Sequence, residues 1–129
     1  MREDLEVKMR RYVKSTGTAV AYLGTVDAAA GFVPELRPIT LMIHDWRFYL
    51  ATDAKSRKAI ELAKHPKATV LVHLRDAECS GYLRLTGIVK PTADLDRRQS
   101  VSRSTRYSIE KYWTSVGDPS LFFGEIMPD

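Results

Sequence analysis

Leu5, Met9, Tyr12 and Val13 recur at helical spacing among charged residues, which predicts an amphipathic helix over residues 3–14. Ser15-Thr16-Gly17 closes it, and the period then changes. The β-formers Val20, Tyr22 and Val26 mark a strand over 18–26. Asp27 to Gly31 reads as a turn in which Gly31 is free to take positive φ. Residues 32–43 form a second strand, so the pair is a hairpin. Pro34 and Pro38 lack a ladder donor, so this strand is an edge, or is bulged, at those points. His44-Asp45-Trp46 turns tightly into a third strand over 47–52.

A helical run follows, Ala59-Ile60-Glu61-Leu62-Ala63, reaching about His65, and Pro66 stops it. Residues 68–74 and 82–89 are strands joined by a polar turn over 75–81, with Leu83, Leu85 and Gly87 on one face. Pro91 ends the second of them. Asp94 is placed to N-cap a helix from Leu95 to about Trp113. Its middle, from Ser100 to Arg106, forms helix poorly, so a break into two helices is expected there. Gly117-Asp118-Pro119 turns the chain into a last strand over 120–126. Six strands at short spacing with few helices favour a small, mostly antiparallel barrel over a doubly wound α/β fold.

Composition narrows this only a little. At 129 residues the chain is expected to be one domain, 1–129, with 44% hydrophobic and 28% charged residues, as in ordinary globular proteins. No run approaches the ~20 apolar residues of a membrane span. The charged start, Met1 to Glu6, has no apolar signal core, and the single Cys79 rules out an internal disulfide, so a cytoplasmic setting is expected. The net charge of +4 is modest and lies around Lys55 to Lys58 and in Arg97 to Arg106. The aromatic-interleaved basic stripe of a nucleic-acid binder is not evident, and nucleic acid is disfavoured as a partner. Arg97-Arg98 and Arg103 to Arg106 read as exposed helix faces.

The chemistry concentrates in Thr52-Asp53-Ala54-Lys55-Ser56-Arg57-Lys58. Three cations here crowd the first turn of a helix. The helix dipole favours anions at that end, and each cation costs a few tenths of a kcal/mol, roughly. Unpaired backbone N–H groups, two hydroxyls and three cations at one point call for a bound anion, most simply a phosphate.

Leu23-Gly24-Thr25-Val26-Asp27, Leu36-Arg37-Pro38-Ile39-Thr40, Phe48-Tyr49-Leu50-Ala51-Thr52, Ser56-Arg57-Lys58-Ala59 and His65-Pro66-Lys67-Ala68-Thr69-Val70 together, in this order, resemble the FMN-binding split barrels related to pyridoxamine 5′-phosphate oxidase. Tyr112-Trp113 with Gly117-Asp118-Pro119 resembles the general-stress-protein branch of that family. The resemblance runs from about Val7 to Pro128. It implies a six-stranded antiparallel split β-barrel with flanking helices. It also implies a homodimer with two FMN sites at the interface, and an oxidoreductase using a small molecule or NAD(P)H as electron donor. By the same resemblance Arg37 and Lys58 bind the FMN phosphate, with Ser56 and Arg57 in the same phosphate loop. Pro38, Ile39 and Thr40 pass the isoalloxazine ring, Thr52 lies near the ribityl or ring edge, and Trp113 reaches the flavin from the partner chain. Nothing matches the Arg- and His-bearing C-terminal segment with which the oxidases proper hold substrate, so the substrate is unassigned. Many relatives add a closing strand after 121–126, which leaves open a shorter barrel or one completed differently.

Other readings stay open beside this one. The protein could be a non-catalytic flavin-binding stress-response module, or a relative binding deazaflavin or haem, for which His73 or His65 would be the axial candidates. His73 alone suggests a satisfied, partly buried imidazole in an apolar strand. The three histidines lack the clustered spacing of a zinc site, and no metal is expected. Asp45, Asp53 and Glu61 form no recognisable acid/base pair, and no catalytic residue is assigned.

Overall fold

The computed structural model of the chain describes residue 7 and residues 15–75 and 80–129. The expected helix over 3–14, apart from Val7, and residues 76–79 of the expected polar turn, with Cys79, lie outside the described residues. The strands are β1 (Gly17–Asp27), β2 (Val33–His44), β3 (Arg47–Asp53), β4 (Lys67–Arg75), β5 (Ser80–Pro91) and β6 (Leu121–Pro128). Two helices, α1 (Arg57–Lys64) and α2 (Leu95–Thr105), and two 3₁₀ turns, Ala28–Ala30 and Ile109–Lys111, complete the described elements. The strands close in the order β1-β2-β3-β6-β5-β4, with β4 returning to β1 and every pairing antiparallel. This is the expected six-stranded barrel. It is not left short at its end, because β6 pairs with both β3 and β5.

Alternation sets the layers. Along β1, Ala21, Leu23 and Thr25 are buried while Val20 and Tyr22 face outward and are exposed. Leu41, Leu50, Val70, Val72 and Leu85 meet them inside the barrel. The β1–β2 register runs unbroken from Gly17 opposite Ile43 to Asp27 opposite Val33, so β2 is not bulged at its prolines. It is an edge instead. Only Met42, Ile43 and His44 pair with β3, which leaves residues 33–41, with Pro34 and Pro38, unpaired on that side. Asp45 and Trp46, at φ 49° and 62°, form the two-residue turn with positive φ at both positions that joins the strands where they do pair.

α1 packs against β1 at one end of the barrel. Ser56 caps this helix, its Oγ accepting from the Ala59 N–H at 3.3 Å. Ala59 and Leu62 turn into the barrel end. Asp94 caps α2 as expected, its carboxylate accepting from the N–H groups of Asp96 and Arg97. The expected break follows at Arg106, which takes a left-handed φ of 59°, before the chain resumes as the turn Ile109–Lys111. This segment covers a second apolar cluster outside the barrel, built on Met42, Tyr49, Val101, Ile109 and Phe123. Arg98 corrects the expectation of an exposed basic face. Its guanidinium turns inward and donates to the Thr92 and Val116 carbonyls at 2.6 and 2.8 Å, so it fastens α2 to the flanking loops.

Candidate functional site

Glu61 is the centre of the most connected polar group among the described residues. It lies on the barrel side of α1 and is 3% exposed. Its Oε1 accepts from Thr25 Oγ1 on β1 at 2.6 Å and from Arg37 Nη2 on β2 at 2.9 Å. Its Oε2 lies 3.3 Å from Arg57 Nε, one helical turn back. Burial works against the charged carboxylate, but the hydrogen bonds from Thr25 and Arg37, with the charges of Arg37 and Arg57, hold its pKa below the ordinary value. The Arg57 guanidinium also reaches Asp27 at 3.1 Å and Glu35 at 3.0 Å, so it ties the helix start to the β1–β2 hairpin.

Lys58 is different. It is half-buried, yet no carboxylate pairs with it among the described residues. Burial, and then the neighbouring charge of Arg37, pull its pKa below the ordinary lysine value. Arg37 Nη1, the nitrogen not used on Glu61, is buried with no hydrogen-bond partner. Two cations thus stand near one another with donor capacity unspent, which is costly unless an anion joins them. Lys58 lies in an open depression of about 320 Å³ whose lining includes Pro38, Ile39 and Thr40 from the free edge of β2, with Val20, Ala51 and Tyr107. A larger groove of about 650 Å³ lies along Gly24, Pro34, Leu36 and Thr69, but its Lys67 is already paired with Asp129 at 3.1 Å.

The structure therefore gathers Pro38, Ile39, Thr40 and Lys58 around one depression, while Arg37, whose charge acts on Lys58, is not part of its lining. Thr52 and Ser56 stand beside it as a pair, with Thr52 Oγ1 3.3 Å from Ser56 Oγ, and Thr52 is buried. Arg57 opens α1, and its backbone N–H and that of Lys58 have no intrahelical acceptor. The Arg57 side chain points away, to its three carboxylates. Trp113 does not line the depression within one chain. It packs on the second cluster and meets Tyr112 edge-on at 5.8 Å. Three contributors went unread in the sequence. Glu61 stands four residues after Arg57, and that spacing was the available signal. Val20 and Tyr107 carried none, because only the folded chain brings them to the depression.

His73 corrects another expectation. It is exposed on the outer face and stacks on Tyr82 across the β4–β5 pair, with ring centroids 5.0 Å apart. His65 follows α1 and meets Phe32 edge-on at 6.0 Å. Neither lines the depression beside Lys58. Among the described residues no His/Cys/Asp/Glu group is arranged to hold a metal ion, and no helix is long and apolar enough to cross a membrane.

The comparisons agree with this architecture. The sequence profile of the family described as Pyridoxamine 5′-phosphate oxidase matches residues 7–128. No curated protein matches the chain. Among solved structures, general stress protein 26 from Bacillus anthracis superposes with a TM-score of 0.72 at 22% identity, over 97% of this chain and 89% of that one. A NimC/NimA family protein from Clostridium acetobutylicum gives a TM-score of 0.69 at 20% identity, over 98% and 81% of the two chains. A heme binding protein from Mycobacterium smegmatis gives 0.70 at 15% identity over 89% of this chain, which spans only 47% of that protein. At these identities the superpositions establish the shared fold.

Proposed function

The chain belongs to the pyridoxamine 5′-phosphate oxidase family, and from that premise we propose that it is an FMN-binding flavoprotein, an oxidoreductase of unassigned substrate that works as a cytoplasmic homodimer. The observation that carries this reading is the pair of Lys58, a half-buried cation lining the depression, and Arg37, the residue before Pro38 of the same lining, whose Nη1 is buried with no partner. A phosphate monoester, close to two negative charges, fits that pair. Arg37 Nη1 and the Lys58 ammonium would hold its oxygens, and the free N–H groups of Arg57 and Lys58, after Ser56, would add donors from the helix start.

The rest of the depression suits a flat, neutral ring. The free edge of β2 at Pro38, Ile39 and Thr40 offers backbone rather than side-chain charge, and Thr52 lies behind it. FMN, when bound, supplies hydride or electron transfer, and the chain's residues bind it, orient it and shield it. The depression is open, and a second copy is the natural wall. The outer face of β1, β2 and β5 exposes Val20, Tyr22, Leu36 and Tyr82, an apolar surface that suits a homodimer. Trp113 would then reach the ring from the partner, which accounts for its distance from the pocket of its own chain.

The test is the visible spectrum of the purified protein, followed by titration with FMN. Flavin absorbance, or a thermal stabilisation of roughly 2.7 kcal/mol at 100 times the dissociation constant, is expected. A protein that stays colourless and gains no stability from FMN overturns the proposal. The heme binding neighbour motivates a second arm with haem, where a Soret band shifted by a protein ligand would favour that cofactor. A deazaflavin is separated from FMN by its own absorbance. Stopped-flow mixing with NAD(P)H distinguishes an oxidoreductase from a flavin-binding stress module, since only the first is reduced.

A further inference from the structure

We propose that Glu61 is a positioning residue for the phosphate arm: it clamps the Arg37 guanidinium through Nη2, so that Nη1 is presented beside Lys58. The inference rests on the FMN reading above and concerns how its anion site is built. Three features of the geometry carry it. First, one carboxylate oxygen accepts from both Thr25 and Arg37, at 2.6 and 2.9 Å, which fixes Arg37 from two strands and a helix at once. Second, the other guanidinium nitrogen is buried and has no partner, although Glu61 Oε2 also lacks a hydrogen bond. A bidentate fork–fork pair is the ordinary arrangement of Arg with a carboxylate, and here it is not made. Third, Oε2 faces the Arg57 Nε instead, and Arg57 is further occupied by Asp27 and Glu35. Glu61 thereby divides the two arginines. One is spent on the hairpin, and the other keeps a donor for a ligand.

Simple electrostatics predicts the opposite sign. A carboxylate close to an anion site repels the anion, so neutralising it should tighten phosphate binding. Positioning predicts that neutralising it loosens binding, because Arg37 loses its charge-assisted clamp and its orientation with it. The two views are therefore separable by one isosteric change.

The experiment measures FMN and riboflavin dissociation constants for the wild type, Glu61→Gln, Arg37→Met and the double variant, with melting temperatures of each apoprotein. Riboflavin lacks the phosphate and reports the ring site alone. Glu61→Gln is expected to weaken FMN by about tenfold, to leave riboflavin unchanged, and to add no further loss in the Arg37→Met background. Thr25→Val removes the second hydrogen bond on Oε1 and should weaken FMN by a smaller factor in the same direction. It carries the test if Glu61→Gln does not fold. Unchanged or tighter FMN binding, an equal loss for riboflavin, or additivity with Arg37→Met overturns the positioning role and leaves the FMN reading standing. A wild type that binds no FMN overturns both.

Discussion

Lys58 and Arg37 look alike in the sequence and are opposites in the fold. Lys58 is a half-buried cation with no carboxylate paired to it among the described residues, so in the apoprotein it is held at a cost. Arg37 is 19% exposed on its side chain and answers the buried charge of Glu61. Lys58→Met should therefore leave the melting temperature of the apoprotein unchanged or higher while weakening FMN tenfold or more. Arg37→Ala should lower both, with a loss of stability on the order of 1–3 kcal/mol from the partner left buried. Thermal melts with and without FMN distinguish the patterns, and equal behaviour of the two variants would contradict the division. The pH dependence follows from the same lysine. Its pKa is lowered in the apoprotein, and a phosphate needs it charged, so FMN affinity should fall as pH rises through that lowered value, before the ordinary 10.5 is reached. Riboflavin affinity should stay flat over that range, and so should the FMN affinity of Lys58→Arg.

Among the elements, β2 shapes the site and β5 helps to close the barrel that carries it. β2 pairs with β1 along its whole length but with β3 only at Met42 to His44, so Pro38 to Thr40 remain an open backbone edge. The prolines left an edge or a bulge open in the sequence, since a missing N–H is tolerated only where no ladder partner needs it, and the unbroken β1–β2 register decides for the edge. β5 owes its pairing with β6 to Gly87. A Cβ there would lie 2.0 Å from the Met127 carbonyl oxygen, a backbone atom that cannot step aside without moving the strand. Gly87→Ala should destabilise the barrel by about 1–3 kcal/mol and loosen amide-exchange protection first along the β5–β6 seam. Loss of protection in β1–β2 first would show that the seam is not where the strain goes. The helix break at Arg106 was also legible, because a run of Ser, Thr and Arg has little to hold a helix once Thr105 has turned its hydroxyl back to the Val101 carbonyl at 2.7 Å.

At the scale of the whole molecule, the homodimer proposed above would bury the outer face of β1, β2 and β5. Leu36 and Tyr82 are 73% and 68% exposed on the outer faces of β2 and β5. In a homodimer that buries this face, Leu36→Glu and Tyr82→Glu should each shift sedimentation from dimer to monomer. They should weaken FMN with it, because the proposed site is completed by the second copy. A dimer unchanged by both substitutions would place the interface elsewhere.

Local pattern was enough for the strands, the cap at Asp94 and the anion-seeking cations at the start of α1. Each of these depends on side-chain period, backbone donors or charge within a few residues, and such interactions are written along the chain. The partners of those cations were not legible. Arg57 is spent on Asp27 and Glu35, Arg37 is clamped by Glu61, Arg98 turns inward and His73 turns outward, each over a sequence separation or a facing that only barrel closure determines. The sequence by itself determined that three cations would meet at one turn. Only the tertiary structure decided which of them is left for a ligand, because a charge is free or spent according to what packs against it.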